Sequence, residues 1–233
     1  MRFSILIVAL IVPLYLVAQF SQDSTSVDKL YLEDQFYAGI TYNFILNLPN
    51  DASQRNFSYG LQGGFIKDVP LNYERNIGLG LGLGLGLNTY YTNVRAIQTD
   101  GDIQYSFPSD AIDARRSKIE THLVELPFEF RWRNSDPTSY SFWRIYTGIK
   151  LSYVINTRSK FVGVDADDQN FKESFNNNDL KKLQYGLTFN FGYHNFNVHV
   201  YYALTRLFDN QVLFEAEEFR IKPLRVGFIF YIL

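Results

Sequence analysis

The side chains with chemistry to offer fall on one face of candidate strands: Glu125, Glu129, Arg131, Arg144, Lys150, Lys182 and Arg225, with Asn190 among them. Such a set could line a pore or a proton path. It could equally neutralise itself as a salt-bridged plug, because a buried charge left unpaired is costly. Both signs occur, which favours the plug. Histidine is the commonest general acid–base, but no serine or carboxylate forms a recognisable pattern with His122, His194 or His199. No nucleophile–base pair is therefore read, and the chain is expected not to be an enzyme. Asp100, Asp102, Asp110 and Asp113, and then Asp165, Asp167 and Asp168, offer oxygens for a cation. No D-x-[DN]-x-[DN]-G loop is present, so these read as solvated loops. With no cysteine there is no disulfide, thiolate site or acylated N-terminal cysteine. No cofactor or metal is expected.

The elements that must hold these residues are organised around Asn76 to Asn88, written NIGLGLGLGLGLN. Aliphatic residues alternate strictly with glycine, so one face of a strand is leucine and the other has no side chains. As a helix the run would scatter leucine on every side and carry glycine at about 1 kcal/mol each. A tilted membrane strand uses about 9–11 residues, which suits the stretch. The run is not a phosphate loop, since it lacks the Lys-Ser/Thr that follows one.

The same alternation marks further strands. The first is Gln35 to Leu46 and the second Phe57 to Val69. The Gly–Leu run is the third, Lys118 to Arg133 the fourth and Phe142 to Asn156 the fifth. Lys181 to Tyr193, a strand opening at Phe196, and Arg220 to Leu233 complete eight. Pro127 cannot donate to a ladder and is expected to mark a bulge. The links run moderate, short, long, short, long, tight, moderate. Outer-membrane barrels have even strand numbers, short periplasmic turns and longer outer loops. If the N-terminus starts in the periplasm, every short link falls there, and Trp132 and Trp143 flank one such turn. The expected fold is all-β: an eight-stranded antiparallel up-and-down transmembrane β-barrel.

Composition agrees. Phenylalanine (21) and tyrosine (17) are abundant, as aromatic girdles require. Mean hydropathy is only −0.14, because alternate residues alone face lipid. A net charge of −2 gives no basic footprint for nucleic acid. Met1 to Ala18 reads as a signal peptide, residues 19–34 as a flexible periplasmic leader, and residues 35–233 as the barrel. A soluble lipocalin-type barrel is the alternative, since period two alone does not separate the two. The bare glycine face and the final strand favour the membrane. Arg225, Gly227, Phe230 and Ile232 follow the polar-x-Gly-x-x-aromatic-x-apolar spacing read by the barrel-insertion machinery, although the chain ends on Leu233 rather than an aromatic. Expected partners are outer-membrane lipid, that machinery, and other envelope or secretion proteins.

Several phrases together resemble a family: DQFYAGITYNF from Asp34, GGFIKDVPLNYERNIGLGLGLG from Gly63, THLVELPFEFRWR from Thr121, FWRIYTGIKLSYV from Phe142 and LQYGLTFNFGYHNFNVHVYYAL from Leu183. They look like the PorT-like, porin-family outer-membrane proteins of gliding bacteria. The resemblance implies an eight-stranded outer-membrane barrel without catalytic residues. For some members it implies a part in type IX secretion and gliding. A structural or interactive role in the envelope is thus expected first, and a narrow channel second.

Overall fold

The computed structural model describes residues 34–134, 142–214 and 217–232. The expected signal peptide at Met1 to Ala18, nearly all of the expected leader, and most of the link at residues 134–141 lie outside the described residues.

Among the described residues thirteen strands follow one another. They are β1 (Gln35–Leu46), β2 (Tyr59–Pro70), β3 (Ile77–Thr92), β4 (Arg95–Thr99), β5 (Asp102–Ser106), β6 (Asp113–Arg133), β7 (Trp143–Val164), β8 (Asn170–Phe175), β9 (Leu183–Tyr193), β10 (Phe196–Ala203), β11 (Leu213–Phe214), β12 (Glu217–Glu218) and β13 (Lys222–Ile232). Eight of them form the wall, in the order β6-β3-β2-β1-β13-β10-β9-β7, and pairing of β6 with β7 closes it. Every wall pairing is antiparallel. Closure leaves no open edge within the wall, as a membrane-spanning sheet requires. An 11-residue strand such as β9 extends about 36 Å, or about 28 Å upright at a 40° tilt. That matches the roughly 25 Å apolar band of such barrels.

The third strand shows why the sequence folds this way. Leu81, Leu83 and Leu85 are about 60 % exposed on the outer face, while the intervening glycines face a crowded interior. The pairing Leu87↔Leu61, Leu85↔Gly63, Leu83↔Phe65 fixes the same faces on β2. Short links join β2 to β3, β6 to β7 and β9 to β10, where His194 takes a left-handed φ of 55° in a two-residue turn. The other end carries the long connections.

Two expectations need correction here. Pro127 marks no bulge. Its neighbours keep one register with β3, Leu81↔Phe128 and Gly84↔Glu125, and only the two pairings between them are missing. The proline withholds its donor, and the bare backbone at Gly82 makes room for its ring. Of the two register shifts between β6 and β7, one lies between Ala114 and Arg116; the other is a bulge on β7, where Ile155 is the extra residue between Val154, opposite Leu123, and Asn156, opposite His122, and Ile155 and Asn156 both point outward.

The long polar segments are not loops throughout. β7 runs on to Val164 and turns back as β8, and β6 begins at Asp113. Within residues 93–112, β4 and β5 form a hairpin over Asp100-Gly101, both at positive φ, as a tight two-residue turn demands. The connection between β10 and β13 holds Phe208, Val212 and Phe214 in a buried cluster with Tyr90, Tyr105, Leu180, Leu207, Phe219 and Ile221. This cluster caps the loop end of the barrel.

Candidate functional site

Because eight strands leave an interior just wide enough for side chains, the inward residues meet across it. Glu125 on β6 is wholly buried and stands at the centre. One of its oxygens accepts from Lys150 of β7 at 3.0 Å and the other from Arg225 of β13 at 3.3 Å. Lys150 also donates to Gln62 of β2 at 2.5 Å, and Arg225 to Asn88 of β3 at 3.3 Å. The Arg225 guanidinium lies 3.8 Å from the centre of the Tyr201 ring. A single carboxylate thus ties opposite walls together.

A second layer lies toward the turn end. Asp68 of β2, buried, accepts from Arg131 at 3.1 Å and from Arg133 at 2.7 Å. Arg131 also donates to Glu129 at 3.2 Å, whose other oxygen accepts from Asn190 at 3.3 Å. Asn190 in turn meets the Nδ1 of His199. Arg131 stacks 4.5 Å from the centre of Tyr146, and Arg144 lies 4.5 Å from Phe142 and 5.7 Å from Tyr231. Desolvated guanidinium–aromatic contacts of this kind stabilise by about 2 kcal/mol, which gives Arg144 a place although no carboxylate among the described residues pairs with it.

The glycine face makes this crowding possible. A Cβ added at Gly80 would lie 2.6 Å from Arg131 Nε, and one at Gly86 would lie 2.9 Å from Glu125 Oε1. The long side chains lean onto the bare backbone of β3.

Of the expected charged set, Glu125, Glu129, Arg131, Arg144, Lys150 and Arg225 are all buried in the lumen. Lys182 is not. It is exposed, because β9 begins only at Leu183, and Gln184 takes the first inward position. Asp68 escaped the sequence reading, although the alternation Gln62, Gly64, Ile66, Asp68 along β2 carries it inward. Some lumenal polar atoms have no hydrogen-bond partner among the described residues: Arg144 Nε and Nη1, and the hydroxyls of Tyr146, Ser152 and Tyr231. In folded proteins, ordered water is the usual partner for buried polar groups of this kind.

His122 is exposed on the outer wall and His194 sits in its turn, so the histidines do not converge. Among the described residues no group of three or more histidine, cysteine, aspartate or glutamate side chains is placed to hold a metal.

A closed wall with an aliphatic and aromatic exterior and a charged, filled interior defines an outer-membrane β-barrel. The chain belongs to the outer membrane protein beta-barrel domain family, whose model matches residues 18–209. The expected fold therefore holds, and so does the outer membrane as its location. The structure is similar to that of Ail, the attachment invasion locus protein of Yersinia pestis, at 14 % identity and a TM-score of 0.36, with 86 % of this chain and 100 % of that one covered. It is also similar to a mutant of the Rh. blastica porin at 8 % identity and a TM-score of 0.21, with 87 % and 100 % covered. Among curated protein sequences none matches the chain.

Proposed function

We propose that the protein is a plugged outer-membrane scaffold with a structural or protein-interaction role, rather than a conduit or an enzyme. The observation that carries this is the mid-height bridge from Lys150 through Glu125 to Arg225, with the apolar cap above it. Parting these ions to open a bore would strand buried charges at a cost of several kcal/mol. Refolded protein in planar bilayers is expected to show no steady single-channel conductance; a reproducible conductance step overturns the plug.

The interaction surface of such a scaffold is its loop end. The partner class is other envelope or secretion-system proteins, and the PorT-like phrases of the sequence support the type IX system as the context. A deletion strain is expected to lose secreted proteins and gliding. Unchanged secretion removes that context and leaves the scaffold reading intact.

A narrow channel is the second reading. It is favoured by the lumenal hydroxyls and Arg144 nitrogens without partners among the described residues, which would hold a file of water. The same bilayer recording separates the two.

A further inference from the structure

Beyond the bulge at Ile155 the outer wall changes its chemistry. Below it, the outward residues are those of a lipid face: Val124, Leu126 and Phe128 on β6, and Leu151, Tyr153 and Ile155 on β7. Above it, β6 and β7 continue past the barrel and are joined by β8. The same outward face now presents Arg116 and Lys118 from β6, Arg158 and Lys160 from β7, and Lys172 from β8.

The register sets these cations side by side. Lys118 stands directly opposite Lys160, and Arg116 and Lys172 flank Val162 from either side. Like charges directly opposite on a sheet destabilise it. Partial desolvation, and then Lys172, Lys118 and Arg116, push the Lys160 ammonium, which lies outside the spanning part of β7, below its ordinary value. Glu120 answers Lys118, but Glu173 is turned away to Arg95, at 3.0 Å from its Nε. The face therefore carries more positive charge than its own carboxylates neutralise.

Beside it, where β9 leaves β7 and β8 takes its place, lies a cleft of about 340 Å³ lined by Tyr153, Ile155, Asn156, Asn176 and Lys182. Lys182 is thus a surface cation of this region. Long loops of outer-membrane barrels lie outside the cell, which puts the cations at the rim of the outer leaflet, above the lipid-facing Tyr153 and level with Tyr91, which pairs with Lys118.

We infer that this face, with the Lys182 cleft, binds the phosphate groups of anionic lipid headgroups in the surrounding leaflet. A lipid source fits better than a solute, because the cations continue a wall that already faces acyl chains. Basic residues at an anionic surface each favour binding about fivefold, and screening by salt weakens them.

The test uses the refolded full chain in detergent micelles. It is titrated with diphosphorylated lipid A, with the same lipid stripped of phosphate, and with inorganic phosphate, and bound ligand is counted by native mass spectrometry. Preference for the phosphorylated lipid is expected, weakening from about 0.05 M to about 0.5 M salt. The variant Arg158→Gln/Lys160→Gln/Lys172→Gln is expected to lose roughly a hundredfold in affinity. Lys67→Gln/Arg206→Gln/Arg220→Gln, which removes equal charge elsewhere, is expected to bind as wild type. Equal binding of the dephosphorylated lipid, an unaffected first variant, an equal loss in the second, or comparable affinity for inorganic phosphate alone would each overturn the inference. Should the triple variant lose heat-modifiable mobility, Lys172→Gln on the exposed strand β8 gives the same answer: a fivefold loss supports the inference and no change sinks it.

Discussion

At Gly82 the choice of residue follows from what surrounds a missing side chain. A Cβ there would lie 2.7 Å from both Ile66 Cγ1 and the Phe65 carbonyl oxygen, and 2.9 Å from the Pro127 ring. Two of these neighbours are backbone or a rigid ring and have no rotamer to escape into. Gly82→Val is therefore expected to abolish heat-modifiable folding, while Leu83→Ile, facing lipid, leaves it unchanged. Equal behaviour of the two would place the glycines on the wrong face. Glu125 is the opposite case, a side chain whose removal strands others. Glu125→Gln leaves Lys150 and Arg225 without their shared carboxylate, and a loss of about 3 kcal/mol is expected in denaturant unfolding from vesicles. A loss below about 1 kcal/mol would mean that water already carries those charges.

At the scale of elements, the bulge in β7 makes a sharp prediction. Ile155 and Asn156 both face outward, so removing Ile155 joins Val154 to Asn156 in unbroken alternation. Every inward residue on both sides keeps its face. Deletion of Ile155 is expected to leave a heat-modifiable barrel. Deletion of Leu151, between inward Lys150 and Ser152, should destroy it. The cap above makes a prediction in pH. Burial, then Asp209 and Asp102, push the Asp179 carboxyl up, against the hydrogen bond donated by Tyr105. A raised carboxyl holds its proton more tightly when folded. Its stabilisation is complete below the unfolded value of about 3.9 and fades as pH rises through the folded value. Hydrogen exchange of the amides from Leu207 to Ile221, corrected for intrinsic rate, should show stronger protection at acid pH. Asp179→Asn should flatten that dependence. Exposed Glu218, held down by Arg206 and Arg220, works in the opposite sense and serves as the internal control.

The same elements show what was legible beforehand. Strict alternation announced β1 to its last residue and marked the Gly–Leu face, because one wet and one dry side leave a period of two in any membrane strand. The cap left no such trace. Phe208, Val212, Phe214, Phe219 and Ile221 have no common period, stand among acidic residues, and are buried only by contacts distant in sequence. Lys182 was misplaced by carrying the alternation one residue past the start of β9. Asp68 lay within the second strand as read but was left out of the charged set.

The whole molecule depends on closing the wall between its first and last strands. β1 pairs with β13 from Phe36↔Ile232 to Leu46↔Lys222, and β13 pairs with β10 on its other side. An open sheet would leave unpaired donors and acceptors along both edges in hydrocarbon, each costing several kcal/mol. Tyr231 works for closure and for the interior together. It pairs with Tyr37 across the seam, and its ring meets Tyr146 at a centroid distance of 5.5 Å. Arg131 lies at 5.8 Å from that ring and Arg144 at 5.7 Å. Its hydroxyl has no protein partner among the described residues. The ring rather than the oxygen should therefore matter. Tyr231→Phe is expected to change stability by less than about 1 kcal/mol, and Tyr231→Ala to cost about 3–5 kcal/mol. Removal of residues 230–233 should be worse than either. It takes away the ladder at Ala38, Tyr37 and Phe36 as well as the ring, and leaves a β1 edge that lipid does not satisfy. Refolding into vesicles followed by gel mobility with and without heating reads all three variants. A truncated chain that still ran as a compact band would show that the turn-end seam is dispensable, and that the ion-paired interior holds the cylinder shut without it.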